Sequence, residues 1–282
     1  MPNNKPTIAI TSLTCCEGCQ VAILDLGQRF FDLTSQVTIG EMELIEETTE
    51  PENFDIVFVE GAPITEKNKE RLFDLRKRSK ILVALGACAS LGGIAEIKNY
   101  QDKEERLRYV YKNFENINNP DIKSLKELVK VDLEIPGCPI NKEEFLQITK
   151  KLIMLYENGV LGEQLPKILQ QPVCYECQLK QNECLLQKGL SDTPNSESRR
   201  AGLPCLGPIM LGGCGAPCPS NKYPCDGCRG PIKNINPDNL NKQLIKQGYS
   251  QREIDLILQR FGVLEETYPK VPIATNLNTN GH

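Results

Sequence analysis

Along the first 160 residues, short apolar runs alternate with stretches whose apolar positions recur every three or four residues. Thr7, Ile8, Ala9, Ile10, Thr11, Ser12 and Leu13 form a continuous run suited to a strand covered on both faces. Cys15, Cys16, Glu17, Gly18 and Cys19 follow it, and then a helical pattern with Ala22, Ile23, Leu26, Phe30 and Leu33 on its apolar face. Further strands are predicted near 37–44, 56–59, 81–85 and 131–135, with helices over about 65–78 and 141–156 and a helical, polar stretch over 102–130. Strand and helix alternating in this way predict an α/β fold, a doubly wound parallel sheet of flavodoxin-like type.

Beyond that point the pattern changes. Residues 157–173 read as a connector with Gly162 and Pro166, and the next 55 positions, 174–228, hold eight of the chain's thirteen cysteines interleaved with Gly and Pro. Few apolar residues separate these cysteines, so something other than an ordinary core is expected to hold the region. Residues 191–204 form a polar loop within it. Helices are predicted after Pro237. One is opened by Ser250 with Glu253 three residues on and carries Ile254, Leu256, Ile257, Leu258 and Phe261. These helices are expected to serve as packing support, and a polar tail over 275–282 follows. The pattern divides the chain into a flavodoxin-like domain, 1–160, and a cysteine-rich domain, 161–282.

Composition narrows the function classes. A net charge of −4 without a basic block, no Trp and 6% aromatic residues argue against a nucleic-acid partner. The N-terminal residues have no targeting pattern and no run approaches eighteen apolar residues, so a soluble cytoplasmic protein without membrane insertion is expected. The single histidine, His282, lies in the tail, which removes histidine acid–base catalysis, Cys–His nucleophile pairs and Cys2His2 zinc sites. Cytoplasmic thiols stay reduced, and thirteen of them argue for metal or cluster ligation over disulfides.

Four cysteines fall just past predicted strand ends: Cys16 and Cys19, Cys88 in Gly86-Ala87-Cys88, and Cys138 in Pro136-Gly137-Cys138-Pro139. The carboxyl ends of a doubly wound sheet share one edge, so these residues can converge on one site. The loop after the first strand offers a C-x-x-C where a phosphate site would need a Gly-rich turn, which disfavours a nucleotide. With Cys15 set aside, twelve cysteines make three sets of four, the thiolate count of three 4Fe–4S cubes. By order and spacing the sets are Cys16, Cys19, Cys88, Cys138; then Cys174, Cys177, Cys184, Cys205; then Cys214, Cys218, Cys225, Cys228, with Cys205 and Cys214 exchangeable between the last two. The N-terminus of the helix near Cys19 is expected to stabilise the negative charge of the first set. Zinc is the competing reading for the C-terminal region, because Cys174-x2-Cys177 and Cys225-x2-Cys228 would each serve a structural knuckle.

The run Leu13-Thr14-Cys15-Cys16-Glu17-Gly18-Cys19-Gln20, together with Val59-Glu60-Gly61, Leu85-Gly86-Ala87-Cys88-Ala89-Ser90-Leu91-Gly92-Gly93-Ile94 and Pro136-Gly137-Cys138-Pro139-Ile140, resembles the small subunit of nickel-iron hydrogenases. The resemblance covers most of 7–230 and is nearest the cytoplasmic group of sulfhydrogenase delta subunits and methanogen viologen- and deazaflavin-reducing enzymes. It implies an oxidoreductase subunit that carries electrons, while hydrogen is activated at the nickel-iron site of a partner large subunit. It also implies a proximal cluster on Cys16, Cys19, Cys88 and Cys138, a medial one on Cys214, Cys218, Cys225 and Cys228, and a distal one on Cys174, Cys177, Cys184 and Cys205. A further iron–sulfur or flavin diaphorase-type subunit is implied as acceptor.

Two departures from the periplasmic members favour three 4Fe–4S cubes: Cys174 stands where those have a distal histidine, and Cys218 where they have a medial proline. Cys15 replaces a Glu common beside the first ligand, so no proton role is carried over from it; Glu17 and Glu60 are the acidic residues left nearby. The tandem Cys15-Cys16 also resembles the quinone-side cluster subunit of complex I, a single-cluster alternative against which the eight downstream cysteines argue. A zinc-stabilised interaction protein is the alternative of a different class.

Overall fold

The computed structural model describes residues 5–45, 47–48, 51–187 and 202–263. The C-terminal tail with His282, and 191–201 of the polar loop, lie outside the described residues.

The elements run β1 (Thr7–Ser12), α1 (Gly18–Leu24), α2 (Gln28–Thr34), β2 (Thr38–Met42), β3 (Glu47–Thr48), β4 (Phe54–Glu60), α3 (Glu66–Arg78), β5 (Ser79–Leu85), α4 (Gly86–Leu91), α5 (Lys103–Val110), β6 (Leu133–Ile135), α6 (Lys142–Glu157), α7 (Val173–Leu179), α8 (Pro217–Ser220), α9 (Asp238–Lys246) and α10 (Gln251–Leu258). The sheet order is β3-β2-β1-β4-β5-β6. Five strands are parallel, and β3 pairs antiparallel with β2. Counting the parallel strands alone, the order is that of flavodoxin, with the reversal beside β1.

Alternation along the strands supplies both faces. Ile8, Ile10, Ile56, Phe58, Ile81, Val83 and Leu85 meet α1, α2 and α6 on one side through Ile23, Phe30, Leu33, Phe145 and Leu152. Ala9, Val57, Val59, Leu82 and Ala84 meet Leu72 and Leu75 of α3 and Ala89 of α4 on the other. Phe58 and Phe145 pack with ring centroids 5.2 Å apart. Truncating either to alanine would cost about 3–5 kcal/mol.

The expected helix over Ala22–Leu33 is two helices, because Gly27 takes φ 59°, ψ −126° between them. Its apolar face nonetheless stays buried as read. Thr65 caps α3 through the Asn68 amide, and Ser250 and Glu253 form the expected reciprocal cap on α10. The cysteine-rich half departs from expectation by owning an apolar core: Val173, Leu206, Ile209 and Met210 pack with Leu240, Leu244, Ile254 and Leu258. The C-terminal helices therefore supply the burial that the segments between cysteines lack. Among the described residues no helix is long and apolar enough to cross a membrane.

Candidate metal centres

The first set forms at the carboxyl edge of the sheet. The loop from β1 is held against the end of β4 by paired amides, Thr14 N to Ala62 O at 3.2 Å and Ala62 N to Thr14 O at 3.0 Å. The loops after β5 and β6 are joined by the Ala87 amide donating to Gly137 O at 2.8 Å. Cys16 and Cys19 from the first loop, Cys88 on α4 and Cys138 after β6 are thereby brought together. A Cβ at Gly86, whose φ is +84°, would overlap the Cys19 sulfur, and one at Gly93 would lie 2.9 Å from the Cys88 sulfur. Burial raises the Cys88 thiol to about 11, and the like charges of Cys138, Cys16 and Glu60 add to the rise. Cys15 lies beside this set and is pushed up to about 12, by burial first and then by Glu60.

Glu60 ends β4 and is 2% exposed. Its carboxylate accepts from the Cys19 amide at 3.1 Å and the Gln20 amide at 3.2 Å. At the N-terminus of α1, these two amides are engaged by Glu60. Burial raises the Glu60 carboxyl while the two amides hold it down.

In the second set, Cys174 and Cys177 lie one turn apart on α7, and with Cys184 and Cys205 they line a small hollow of about 70 Å³. A Cβ at Gly207 would come within 3.3 Å of the Cys174 sulfur and 3.5 Å of the Cys205 sulfur. Burial raises the Cys174 thiol to about 12, with Cys205, Cys177 and Cys184 adding to the rise.

Cys214, Cys218, Cys225 and Cys228 line a larger hollow of about 510 Å³, into which Cys138 of the first set also opens. Burial raises Cys228 to about 11; the Cys138 amide, donating to the Cys228 sulfur, opposes this. The Cys225 amide donates to the Cys205 sulfur at 3.2 Å. The 214–228 cysteines therefore adjoin Cys138 on one side and Cys205 on the other. All thirteen cysteines are free thiols.

Two charged side chains, not singled out by the sequence reading, tie these loops together. Arg229 is 3% exposed. It makes a two-point ion pair with Glu144 of α6 at 2.7 and 2.8 Å, and donates to Gly212 O and to Pro136 O, both at 2.7 Å. Glu176, between Cys174 and Cys177, accepts from the Gly213 amide at 2.8 Å and the Gly215 amide at 3.0 Å. Their positions were the available signal: Arg229 directly follows Cys228, and Glu176 lies inside a C-x-x-C.

The donor chemistry suits iron–sulfur ligation: cysteines gathered at each place, no competing imidazole among the described residues, and glycines where a Cβ would close the space beside the sulfurs. Among the described residues no group of three or more Cys, Asp or Glu side chains converges as the ligands of one ion do.

A family model described as NADH ubiquinone oxidoreductase, 20 Kd subunit, matches residues 16–152, the half with Cys16, Cys19, Cys88 and Cys138. Sulfhydrogenase 2 subunit delta of Pyrococcus furiosus is 33% identical over 275 residues, covering 96% of this chain and 98% of that one. A subunit of the vhu F420-non-reducing hydrogenase of Methanocaldococcus jannaschii is 32% identical over 241 residues, covering 79% of this chain and 81% of that one. The Ni-Fe-Se hydrogenase of Desulfomicrobium baculatum shares the fold, with a TM-score of 0.56 at 18% identity over 86% of this chain and 99% of that one. With similarity to the delta subunit running through both the sheet and the cysteine-rich half, this chain belongs to the family of hydrogenase small, electron-transferring subunits and is an oxidoreductase subunit.

Proposed function

We propose that the chain conducts electrons between the nickel-iron site of a partner large subunit and a further iron–sulfur or flavin subunit by holding three 4Fe–4S clusters. Cys16, Cys19, Cys88 and Cys138 would hold the proximal one, Cys214, Cys218, Cys225 and Cys228 the medial, and Cys174, Cys177, Cys184 and Cys205 the distal. Such clusters, when bound, supply one-electron carriers whose potentials follow charge, hydrogen bonding and exposure. The observation that supports the reading is that the 214–228 cysteines adjoin Cys138 and Cys205 and are linked to both neighbouring loops by backbone amides and buried charges.

The chain's own residues prepare the sites. Gly86, Gly93 and Gly207 keep side-chain bulk away from the sulfurs. Burial and mutual repulsion hold Cys88, Cys174 and Cys228 protonated, so loading displaces protons from these thiols. Arg229 and Glu176 link the loops that carry neighbouring sets. Residues 1–160 and 161–282 are read as two domains that share these ties, and the unpaired thiols suit the reducing cytoplasm.

The family model over 16–152 favours a second reading, a single-cluster subunit passing electrons to quinone. Metal analysis of anoxically purified protein separates the cases. About 12 iron and about 12 sulfide per chain support three clusters, and about 4 of each support the single-cluster reading. About three zinc without sulfide would replace both with a structural metal protein.

A further inference from the structure

Cys214 lies between two charged side chains of different standing. On one side Arg229 is matched at two points by Glu144, so its charge is balanced where it is buried. On the other side Glu176 reaches over from the helix of the distal set, and its Oε2 lies 3.9 Å from the Cys214 sulfur. Lys180, directly after α7, is an exposed residue. Its ammonium lies beside Gly215 at the surface. Solvent and salt screen an exposed charge far more than a half-buried one.

Glu176 also accepts from two backbone amides. Those of Gly213 and Gly215, on either side of Cys214, donate to its carboxylate. An amide donated to a sulfur favours the reduced, more negative cluster, whereas a carboxylate beside the sulfur disfavours it. The Cys214 sulfur keeps the Ala216 amide as a donor, while Glu176 engages the two flanking amides and places its own charge beside the sulfur.

We propose that Glu176 sets the reduction potential of the medial group, holding it below the value its four thiolates would otherwise give. This deepens the assignment of Cys214, Cys218, Cys225 and Cys228 made above and rests on it. Glu176 is a positioning and tuning residue, since it acts through Cys214. Because it stands on the helix bearing Cys174 and Cys177, movement of the distal set would be transmitted to the potential of the medial one.

The test is a redox titration, followed by electron paramagnetic resonance, of the intact hydrogenase complex carrying Glu176→Gln. Glutamine keeps an acceptor for the amides and removes the charge. The medial signal is assigned as the one lost in Cys218→Ala. One midpoint, the medial, is expected to rise by at least a tenfold change in its one-electron equilibrium, about 59 mV, with iron and sulfide contents unchanged. Lys180→Gln, which removes a neighbouring surface charge, is expected to leave all midpoints in place. A fully loaded Glu176→Gln complex with an unmoved medial midpoint, or an equal rise in Lys180→Gln, overturns the proposal. A wild-type complex whose iron content is unchanged by Cys218→Ala overturns the medial assignment itself, and is recognised without any titration.

Discussion

At Gly86 the backbone leaves β5 with φ +84° and passes so close to the Cys19 sulfur that no side chain fits. Alanine there would incur about 1–2 kcal/mol for the left-handed backbone and would also displace the sulfur. Gly86→Ala is therefore expected to lose about 4 iron per chain while the other two sets stay loaded; full iron content in the purified variant would show that the loop can give way. Cys15 makes the opposite case. It lies beside the same set, but burial pushes its thiol up to about 12. Burial raises the assigned ligand Cys174 as far, so what sets Cys15 apart is its place in the chain, one cysteine more than three sets of four need. Cys15→Ser should retain all the iron of the parent, and loss of a cluster would make Cys15 a ligand. In the sequence, twelve of the thirteen cysteines make the three proposed sets of four and leave Cys15 over. The pattern left open where Cys205 and Cys214 fall, since spacing carries no information about which hollow each sulfur lines. The Cys225 amide bonded to the Cys205 sulfur shows how close the two sets approach.

Among the elements, β6 is the shortest parallel strand, yet it delivers Cys138. Its position depends on Asp132, just before it, which accepts from the Leu82 amide at 2.9 Å and pairs with Arg76 and with Lys130, the latter at 3.0 Å. Burial would raise the Asp132 carboxyl, but the Leu82 amide and the two cations outweigh it and hold the carboxyl below its usual range. A depressed carboxylate stabilises the fold above its unfolded pKa of about 3.9, and that contribution is lost as pH falls through the lower folded value. Asp132→Asn should therefore be less stable than the parent at neutral pH, with the gap closing on the acid side. Thermal denaturation from pH 7 down to pH 3 would show it; a gap that widens with acid would contradict the sign. Strand and helix positions here were legible because the apolar periods differ between the two. What was not legible followed from backbone geometry or from length: the break at Gly27, the two-residue strand β3, and the one- or two-turn helices α4, α7 and α8 under the cysteines. Helices this short bury too few residues to leave a period in the pattern.

Over the whole molecule, the sheet and the cysteine-rich half have separate apolar cores, and their relation depends on a few polar ties. Asn141 donates to Gly213 O at 2.8 Å, and Arg229 spans from Gly212 to Pro136 and Glu144. A single residue thereby braces the loop of Cys138 and the loop of Cys214 against the first turn of α6. Nothing in the hydrophobic pattern announces such a tie, because partners 85 and 93 residues apart in the chain meet only once both halves are folded. Arg229→Met would leave Glu144 without its cation and two carbonyls without a donor. Removing one partner of a buried pair costs about 3–5 kcal/mol, and that loss should appear in chemical denaturation of the loaded complex as an earlier unfolding of the cysteine-rich half. The double substitution Arg229→Met with Glu144→Leu replaces the pair by apolar contacts and should recover much of the stability, since the uncompensated carboxylate is gone. The rate of electron transfer in the double variant then separates fold from spacing. If Arg229 matters only for stability, the double variant holds its full complement and passes electrons at the parent rate. If it also sets the distance between Cys138 and the 214–228 set, the double variant is stable and loaded but slower in electron transfer, and a single-turnover measurement of cluster reduction in the complex would distinguish the two.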